Sequence, residues 1–185
     1  MTVRSFDGRI PRIGEGSYVH PSADVFGEAW ITHVTIGQGC WIGPGARLRG
    51  DYGTLVVGDY SSIEDNCVIH ARPGETTYIG NWVTIGHGCV IHTATVRDYK
   101  AAQAVVGMGS IVSDWAVVGV WGVVGEGAVV KQNQEVPEGH IAVGVPARIL
   151  EKPVSESSVV RVQKGSGVDH ARVDHARGPG PALSR

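Results

Sequence analysis

Leucine, charged residues and cysteine are all scarce in this chain of 185 residues. Only 4 Leu stand against 29 Val, 13 Ile and 27 Gly. Because Val, Ile and Gly are poor helix formers, this balance excludes a helix bundle and disfavours an α/β fold. The 3 Cys are an odd number and form no disulfide framework, which favours a reducing cytoplasm.

Charge and hydropathy exclude several further classes. Charged residues make up 18% of the chain and the net charge is −2, so there is no basic surplus for binding nucleic acid. No apolar run approaches the roughly 18 residues of a membrane span. The N-terminal segment has no apolar stretch of the kind that signal peptides contain. The sequence therefore predicts a cytoplasmic protein with neither a nucleic-acid nor a membrane partner, and its 42% of hydrophobic residues can form a core.

The positive feature of the sequence is a repeat, in which branched aliphatic residues recur mostly at intervals of six. In 15 of 18 units the residue two places earlier is Gly, Ala, Ser, Cys or Thr. All three cysteines occupy this small position and are predicted to be buried fillers. The repeating aliphatic residues are Val19, Val25, Ile31, Ile36, Ile42, Leu48, Val57, Ile63, Ile69, Ile79, Ile85, Ile91, Val96, Val106, Val112, Val118, Val124 and Val130.

A period of six fits neither a helix nor a simple hairpin, but it fits a solenoid coil built from three short strands. Each unit would form one flat side and one corner, and three units would complete a triangular turn. The sequence thus predicts an all-β fold, a triangular prism of about six coils. The predicted segments are an N-terminal lead-in at 1–16, the β-helix at 17–136, a closing segment with a possible short helix at 137–164, and a flexible tail at 165–185.

The repeat resembles the hexapeptide repeat of left-handed parallel β-helix proteins over about residues 10–153. This resemblance implies the left hand, which the periodicity alone does not. Residues 100–103 interrupt the six-residue step and are predicted to be a harmless insertion at a corner. The tail contains the duplicated sequence VDHAR at 168–177, for which no ordered metal site is expected.

Three histidines form the most informative constellation. His70 and His92 each follow the third aliphatic residue of their coil, which predicts equivalent positions on successive coils, roughly 5 Å apart. His87 lies near a different corner, and a symmetric trimer could bring it to the other two. Three imidazoles plus water are the ligands of a zinc site with an open position. The alternative is that these are ordinary solvated histidines whose vertical register is a coincidence.

The residues around the histidines resemble the γ-class carbonic anhydrases. The matching stretches are LRGD at 48–51, GD at 58–59, IEDNCVIH at 63–70, IGNWVTIGH at 79–87 and IH at 91–92. This resemblance implies a homotrimer with zinc at the subunit interfaces, bound by His70 and His92 of one chain and His87 of its neighbour. Other ions that favour imidazole, such as Fe²⁺ or Co²⁺, fit the same ligands.

The resemblance also implies roles for the neighbouring residues. Arg49 and Asp51 would form an ion pair that either takes part in catalysis or only holds the trimer together. Glu64 and Ser62 stand where the family usually has Gln and Asn, which order the metal-bound water. The implied reaction is a lyase reaction, in which zinc-bound hydroxide hydrates CO₂ to bicarbonate.

Two other functions use the same scaffold. One is a CoA-dependent acyltransferase or thioesterase, and it rests on an analogy of fold. The other is a non-catalytic trimeric protein in which zinc only joins the subunits.

Overall fold

The structure, a computed structural model, describes residues 2–5, 10–27, 33–98 and 104–151. These residues form 22 strands and no helix, so nothing among them is a helix that could cross a membrane. The predicted C-terminal helix, the insertion at 100–103 and the duplicated segment at 168–177 lie outside the described residues.

The strands build three sheets that the chain visits in turn. The first sheet contains β1 (Thr2–Ser5), β4 (Asp24–Gly27), β7 (Arg47–Gly50), β10 (Val68–His70), β13 (Val90–His92), β16 (Ile111–Val112) and β19 (Val129–Val130). The second sheet contains β2 (Arg12–Ile13), β5 (Val34–Ile36), β8 (Thr54–Val57), β11 (Thr76–Ile79), β14 (Thr95–Val96), β17 (Val117–Val118) and β20 (Glu135–Val136). The third sheet contains β3 (Tyr18–Val19), β6 (Trp41–Ile42), β9 (Ser62–Ile63), β12 (Thr84–Ile85), β15 (Val105–Val106), β18 (Val123–Val124), β21 (Ile141–Val143) and β22 (Arg148–Ile149).

The core follows the six-residue pattern. All of the repeating aliphatic residues that the structure describes are buried, and the most exposed of them, Val19, shows 9% of its surface. Successive coils stack in parallel register, so that Leu48 lies beside Ile69 and Ile69 beside Ile91. The predicted all-β, left-handed parallel β-helix of about six turns is confirmed.

One detail of the repeat differs from the prediction. Val25 lies in the first sheet and Ile36 in the second, so these two residues are consecutive inward positions, separated by 11 places rather than joined through a unit at Ile31. Ile31 itself lies outside the described residues. The six-residue count included Ile31 because it considers only the type and spacing of residues.

The small inward positions do more than fill space. The Sγ of Cys67 donates to the carbonyl of Gly86 at 3.0 Å, one coil further along. Cys89 makes the same contact with the carbonyl of Gly107 at 3.0 Å. All three thiols are free and buried, as predicted. A side-chain donor at this position therefore fastens one coil to the next.

The prism ends with a reversal of the chain. The only antiparallel pair among the described strands is formed by β21 and β22, where Val143 lies opposite Arg148. Strand β22 covers the exposed edge of the third sheet, which limits pairing with other chains. Strands β1 and β2 precede residue 17, and β21 and β22 follow residue 136.

Candidate functional site

Four of the predicted site residues, Arg49, Asp51, His70 and His92, meet at the corner between the first and second sheets. His70 ends β10 and His92 ends β13, and the two are direct partners in the parallel ladder. Their ring centroids are 5.1 Å apart, and Nδ1 of His70 lies 3.1 Å from Nε2 of His92. The predicted stacking of these two histidines on successive coils is thus present in the structure.

The second nitrogen of each imidazole meets a carboxylate. Nε2 of His70 donates to Oδ1 of Asp51 at 2.8 Å. Nδ1 of His92 is hydrogen-bonded to Oδ1 of Asp114. Because an ionised carboxylate only accepts hydrogen bonds, each neutral imidazole carries its proton on the nitrogen that faces its aspartate. Nδ1 of His70 and Nε2 of His92 are then both unprotonated and face each other with lone pairs.

An arginine holds the far side of each aspartate. Nη2 of Arg49 donates to Oδ2 of Asp51 at 2.6 Å. Arg72 holds Oδ2 of Asp114 through Nε at 2.8 Å and Nη2 at 2.8 Å, and its guanidinium lies 5.3 Å from the ring centre of Trp115. We call the resulting chain of contacts the histidine row; it consists of Arg49, Asp51, His70, His92, Asp114 and Arg72.

The surroundings of the row lower the pKa values of Asp114, Asp51 and His70. Burial raises the pKa of Asp114, but hydrogen bonds from Arg72, His92 and Thr93 outweigh this and bring it to about 2. Burial likewise opposes ionisation of Asp51, and hydrogen bonds from Arg49 and His70 lower its pKa. Burial lowers the pKa of His70, although Asp51 acts against this. Both aspartates are therefore anions at neutral pH.

A second group lies at the corner between the third and first sheets. Ser62 is 1% exposed and donates to Oε1 of Glu64 at 2.7 Å. Nδ1 of His87 accepts the backbone N–H of Asp65 at 3.2 Å and lies 3.9 Å from Oε2 of Glu64. Ligand atoms of Glu64, Asp65 and His87 lie within 4.8 Å of one another, but the Nδ1 lone pair of His87 is already used by the backbone.

The structure thus divides the predicted site residues into two groups within one chain. Arg49, Asp51, His70 and His92 share the histidine row, whereas Ser62, Glu64 and His87 lie around another corner. The sequence prediction missed Asp114 and Arg72. Asp114 had a usable signal, since it follows Val112 by two places, and Val112 lies beside Ile91, the residue before His92, on the next coil.

Comparison with known proteins places this scaffold in a family. No family model matches the chain. The carnitine operon protein CaiE of Escherichia coli K12 is 36% identical over 151 residues, which cover 81% of this chain and 72% of CaiE. A hexapeptide transferase family protein from Anaplasma phagocytophilum is 31% identical, and its crystal structure superposes with a TM-score of 0.76, covering 88% of this chain and 90% of that one.

This chain belongs to the hexapeptide transferase family. The same fold occurs in the Bacillus cereus N-acyltransferase AntD, with a TM-score of 0.64 at 18% identity, covering 84% of this chain and 89% of that one. Hexapeptide-repeat β-helix proteins are typically trimers.

Membership in the hexapeptide transferase family corrects the predicted chemistry. A zinc-dependent γ-class carbonic anhydrase, its lyase activity and its zinc cofactor are wrong, because the matched proteins point to transferases. CO₂ and bicarbonate lose their support as substrates. The physical reason for the error is that an imidazole paired with a carboxylate serves equally as a metal ligand and as a base, so the residue types did not separate the two.

Proposed function

We propose that this protein is a CoA-dependent acyltransferase in which His92 is the general base. One observation carries the proposal, namely the placement of the His92 imidazole between Asp114 at Nδ1 and His70 at Nε2. A carboxylate at Nδ1 orients the ring, stabilises the imidazolium and leaves Nε2 to take a proton.

His92 suits this role better than His70. The side chain of His92 is 34% exposed, and that of His70 is 15% exposed. Nε2 of His92 is at the tip of its ring, whereas the nitrogen that His70 turns away from its aspartate is Nδ1, beside the ring's own Cβ. Because each imidazole carries its proton on the side of its aspartate, the two nitrogens that face each other are both unprotonated, and no hydrogen bond joins the rings. An acceptor hydroxyl or amine would donate to Nε2 of His92.

The reaction follows from this arrangement. As the acceptor oxygen or nitrogen attacks the thioester carbonyl, its proton passes to Nε2 of His92. The tetrahedral intermediate then breaks its C–S bond, and the departing CoA sulfur receives the proton back from Nε2. One acyl group is transferred, one thiol is released, and His92 returns to its starting state.

Arg49 would assist binding of the donor. It lies beside His70 in the ladder, is 40% exposed at its side chain, and holds Asp51 through Nη2. We assign its remaining N–H groups to an anionic group of acyl-CoA, because guanidinium binds phosphate oxygens well. In the same fold, the AntD structure was solved with dTDP and coenzyme A.

The proposal includes a homotrimer. Beside the histidines, the outer face of the first sheet presents Val90 at 36% exposure and Ile111 at 40%, and the adjacent corner presents Met108 at 48%. A contiguous apolar strip of this kind is typical of an interface. Ile111→Glu should convert the trimer to monomers in light-scattering measurements, and an unchanged mass would contradict this interface.

The test of the function is release of a free thiol from acetyl-CoA, measured with and without a panel of amines, amino sugars and alcohols. His92→Gln should lower the acceptor-dependent rate by about 100-fold or more, as expected for loss of a general base. His140→Gln is the matched control, because His140 lies on a distant coil and bonds the Glu138 carbonyl.

The outcomes separate the alternatives. Thiol release that is independent of any acceptor would identify water as the acceptor, hence a thioesterase. Equal rates in the wild type and His92→Gln would rule out His92 as the base. Absence of thiol release from any acyl-CoA tested would overturn the proposed function.

A further inference from the structure

Thr93 has an unusual backbone for its residue type. Its φ is +47°, and no other β-branched residue in the described part of the chain has a positive φ. A β-branched side chain is disfavoured in this region because Cβ crowds the neighbouring carbonyl. Strained residues of this kind persist where the surrounding structure holds them, and they cluster at functional sites. Thr93 directly follows His92.

The strain has a structural origin in the length of the corner. The inward residues Ile91 and Val96 are five places apart, whereas Val112 and Val118 of the next coil are six apart. The coil that carries His92 therefore turns its corner with one residue fewer, and Thr93 makes the turn. Its N–H donates to the carbonyl of His70 at 3.1 Å, and its carbonyl accepts from the N–H of Trp115 at 2.6 Å.

The Thr93 hydroxyl is buried and connects two parts of the histidine row. Thr93 is 2% exposed, and its Oγ1 accepts the backbone N–H of Arg72 at 2.9 Å. A hydrogen bond from the Thr93 side chain also helps to lower the pKa of Asp114. Nδ1 of His92 lies 3.4 Å from Oγ1, but that nitrogen is bound to Asp114. One hydroxyl thus holds the main chain of Arg72 and the carboxylate that the Arg72 guanidinium binds.

We propose that Thr93 is a positioning residue that sets the orientation of the His92 imidazole by fixing both ends of the Arg72–Asp114 ion pair. The proposal deepens the proposed function and rests on it for its kinetic part. Without the hydroxyl, Asp114 loses a donor and the main chain of Arg72 loses its acceptor. The carboxylate then has more freedom, and Nε2 of His92 is less often aligned with an acceptor.

Thr93→Val is the direct test, because it keeps the shape and the β-branch and removes only the hydroxyl. We expect kcat for acyl transfer to fall about 10- to 100-fold, as for loss of a residue that orients a reacting group, while KM for acetyl-CoA changes less than about twofold. Thr93→Ser keeps the hydroxyl and should retain kcat within about threefold of the wild type. Equal kcat values in the wild type and Thr93→Val would overturn the proposal.

A second readout does not depend on activity. An imidazole Nδ1–H bonded to a carboxylate gives a proton resonance well downfield of the amide region, and Asp114→Asn identifies the signal from His92 by its loss. The signal should be present in the wild type and Thr93→Ser and be weakened or shifted in Thr93→Val. An identical signal in Thr93→Val would overturn the proposal. If the signal responds as expected but the wild type transfers no acyl group, the proposed function fails and the positioning role stands.

Failure of Thr93→Val to fold leaves a second comparison. Thr93→Ala and Thr93→Ser both lack the β-branch and differ only in the hydroxyl. The expected result is the same difference in kcat and in the imidazole signal between these two variants, at similar melting temperatures. Matching kcat values and matching signals would show that the hydroxyl has no positioning role.

Discussion

The two halves of the histidine row use the same residue types but are built differently. We call them the Arg49 half (Arg49, Asp51 and His70) and the Arg72 half (Arg72, Asp114 and His92). In the Arg49 half, the aspartate follows its arginine by two residues at the end of one strand. In the Arg72 half, the aspartate comes from the coil beyond its histidine. Both halves depend on the stacking of coils, since Asp51 lies one coil before His70. The Arg72 half also takes its arginine from another coil, two coils before that of Asp114.

The halves also present their imidazoles differently. Asp51 binds Nε2 of His70, whereas Asp114 binds Nδ1 of His92. The Arg49 half therefore offers a hindered nitrogen on a mostly buried ring, and the Arg72 half offers an accessible one. Each half contains one arginine, one aspartate and one histidine. The ring nitrogen that the aspartate binds decides which histidine is the proposed base and which one only supports it.

The largest expected difference between the halves is in their aspartates. Asp114→Asn should lower kcat for acyl transfer by about 1,000-fold, because an amide no longer holds the imidazole in the required tautomer. Asp51→Asn should lower it by only about 10-fold, since it acts on the base through His70. The measurement is kcat at saturating acetyl-CoA.

Asp24→Asn is the matched control for the aspartates. Asp24 is on the same sheet and pairs with an arginine, Arg4, at 2.7 Å, but it has no contact with a histidine. Asp24→Asn should therefore leave kcat unchanged. A larger loss in Asp51→Asn than in Asp114→Asn would reverse the assignment of base and support.

A smaller difference is expected for the arginines. Arg72→Gln should lower kcat by about 10-fold with little change in KM, because Arg72 acts through Asp114. Arg49→Gln should mainly raise KM for acetyl-CoA, because Arg49 is assigned to the anionic part of the donor. Arg47→Gln, which removes a more exposed arginine of the same strand, is the control. Equal shifts of KM in Arg72→Gln and Arg49→Gln would contradict the separate roles of the two arginines.

The smallest expected effect is on stability in acid. The pKa of Asp114 is about 2 in the folded protein and near 3.8 in an unfolded chain, so its ionised form stabilises the fold above about pH 4. This stabilisation is lost as the pH falls towards 2. The gap in melting temperature between the wild type and Asp114→Asn should therefore close over this interval. A difference in melting temperature that stays constant from pH 6 to pH 2 would contradict this contribution of Asp114.

The sequence predicted the Arg49 half and His92, but it missed the other two members of the Arg72 half, Asp114 and Arg72, for a physical reason. The six-residue register aligned His70 with His92, and the family resemblance supplied Arg49 and Asp51. Asp114 and His92 meet where two corners of unequal length lie side by side, with five places from Ile91 to Val96 and six from Val112 to Val118. A six-residue register locates the inward residues, but it does not show which side chains of two unequal corners are in contact.

The fold prediction succeeded because it needed only the positions of the inward residues. The position of each inward aliphatic residue depends only on local periodicity, so every described residue of the series from Val19 to Val130 was correctly predicted to be in the core. The chemistry depends on a few side chains at a corner whose spacing changes from coil to coil. Between inward residues this corner takes 9 places after Leu48, 10 after Ile69 and 5 after Ile91. The irregular steps at this one corner could therefore have indicated the site without any resemblance to a known family.

The free thiols have a practical consequence. Cys40, Cys67 and Cys89 lie on three successive coils, and each points its sulfur at a carbonyl of the following coil at 3.0 Å. Burial raises the pKa of the Cys40 thiol, so it is a poor nucleophile while the prism is closed. A thiol reagent can reach these sulfurs only where the coils separate. The protein thus has three native cysteines that can be labelled. The order in which they react would report the direction in which the coils separate on unfolding.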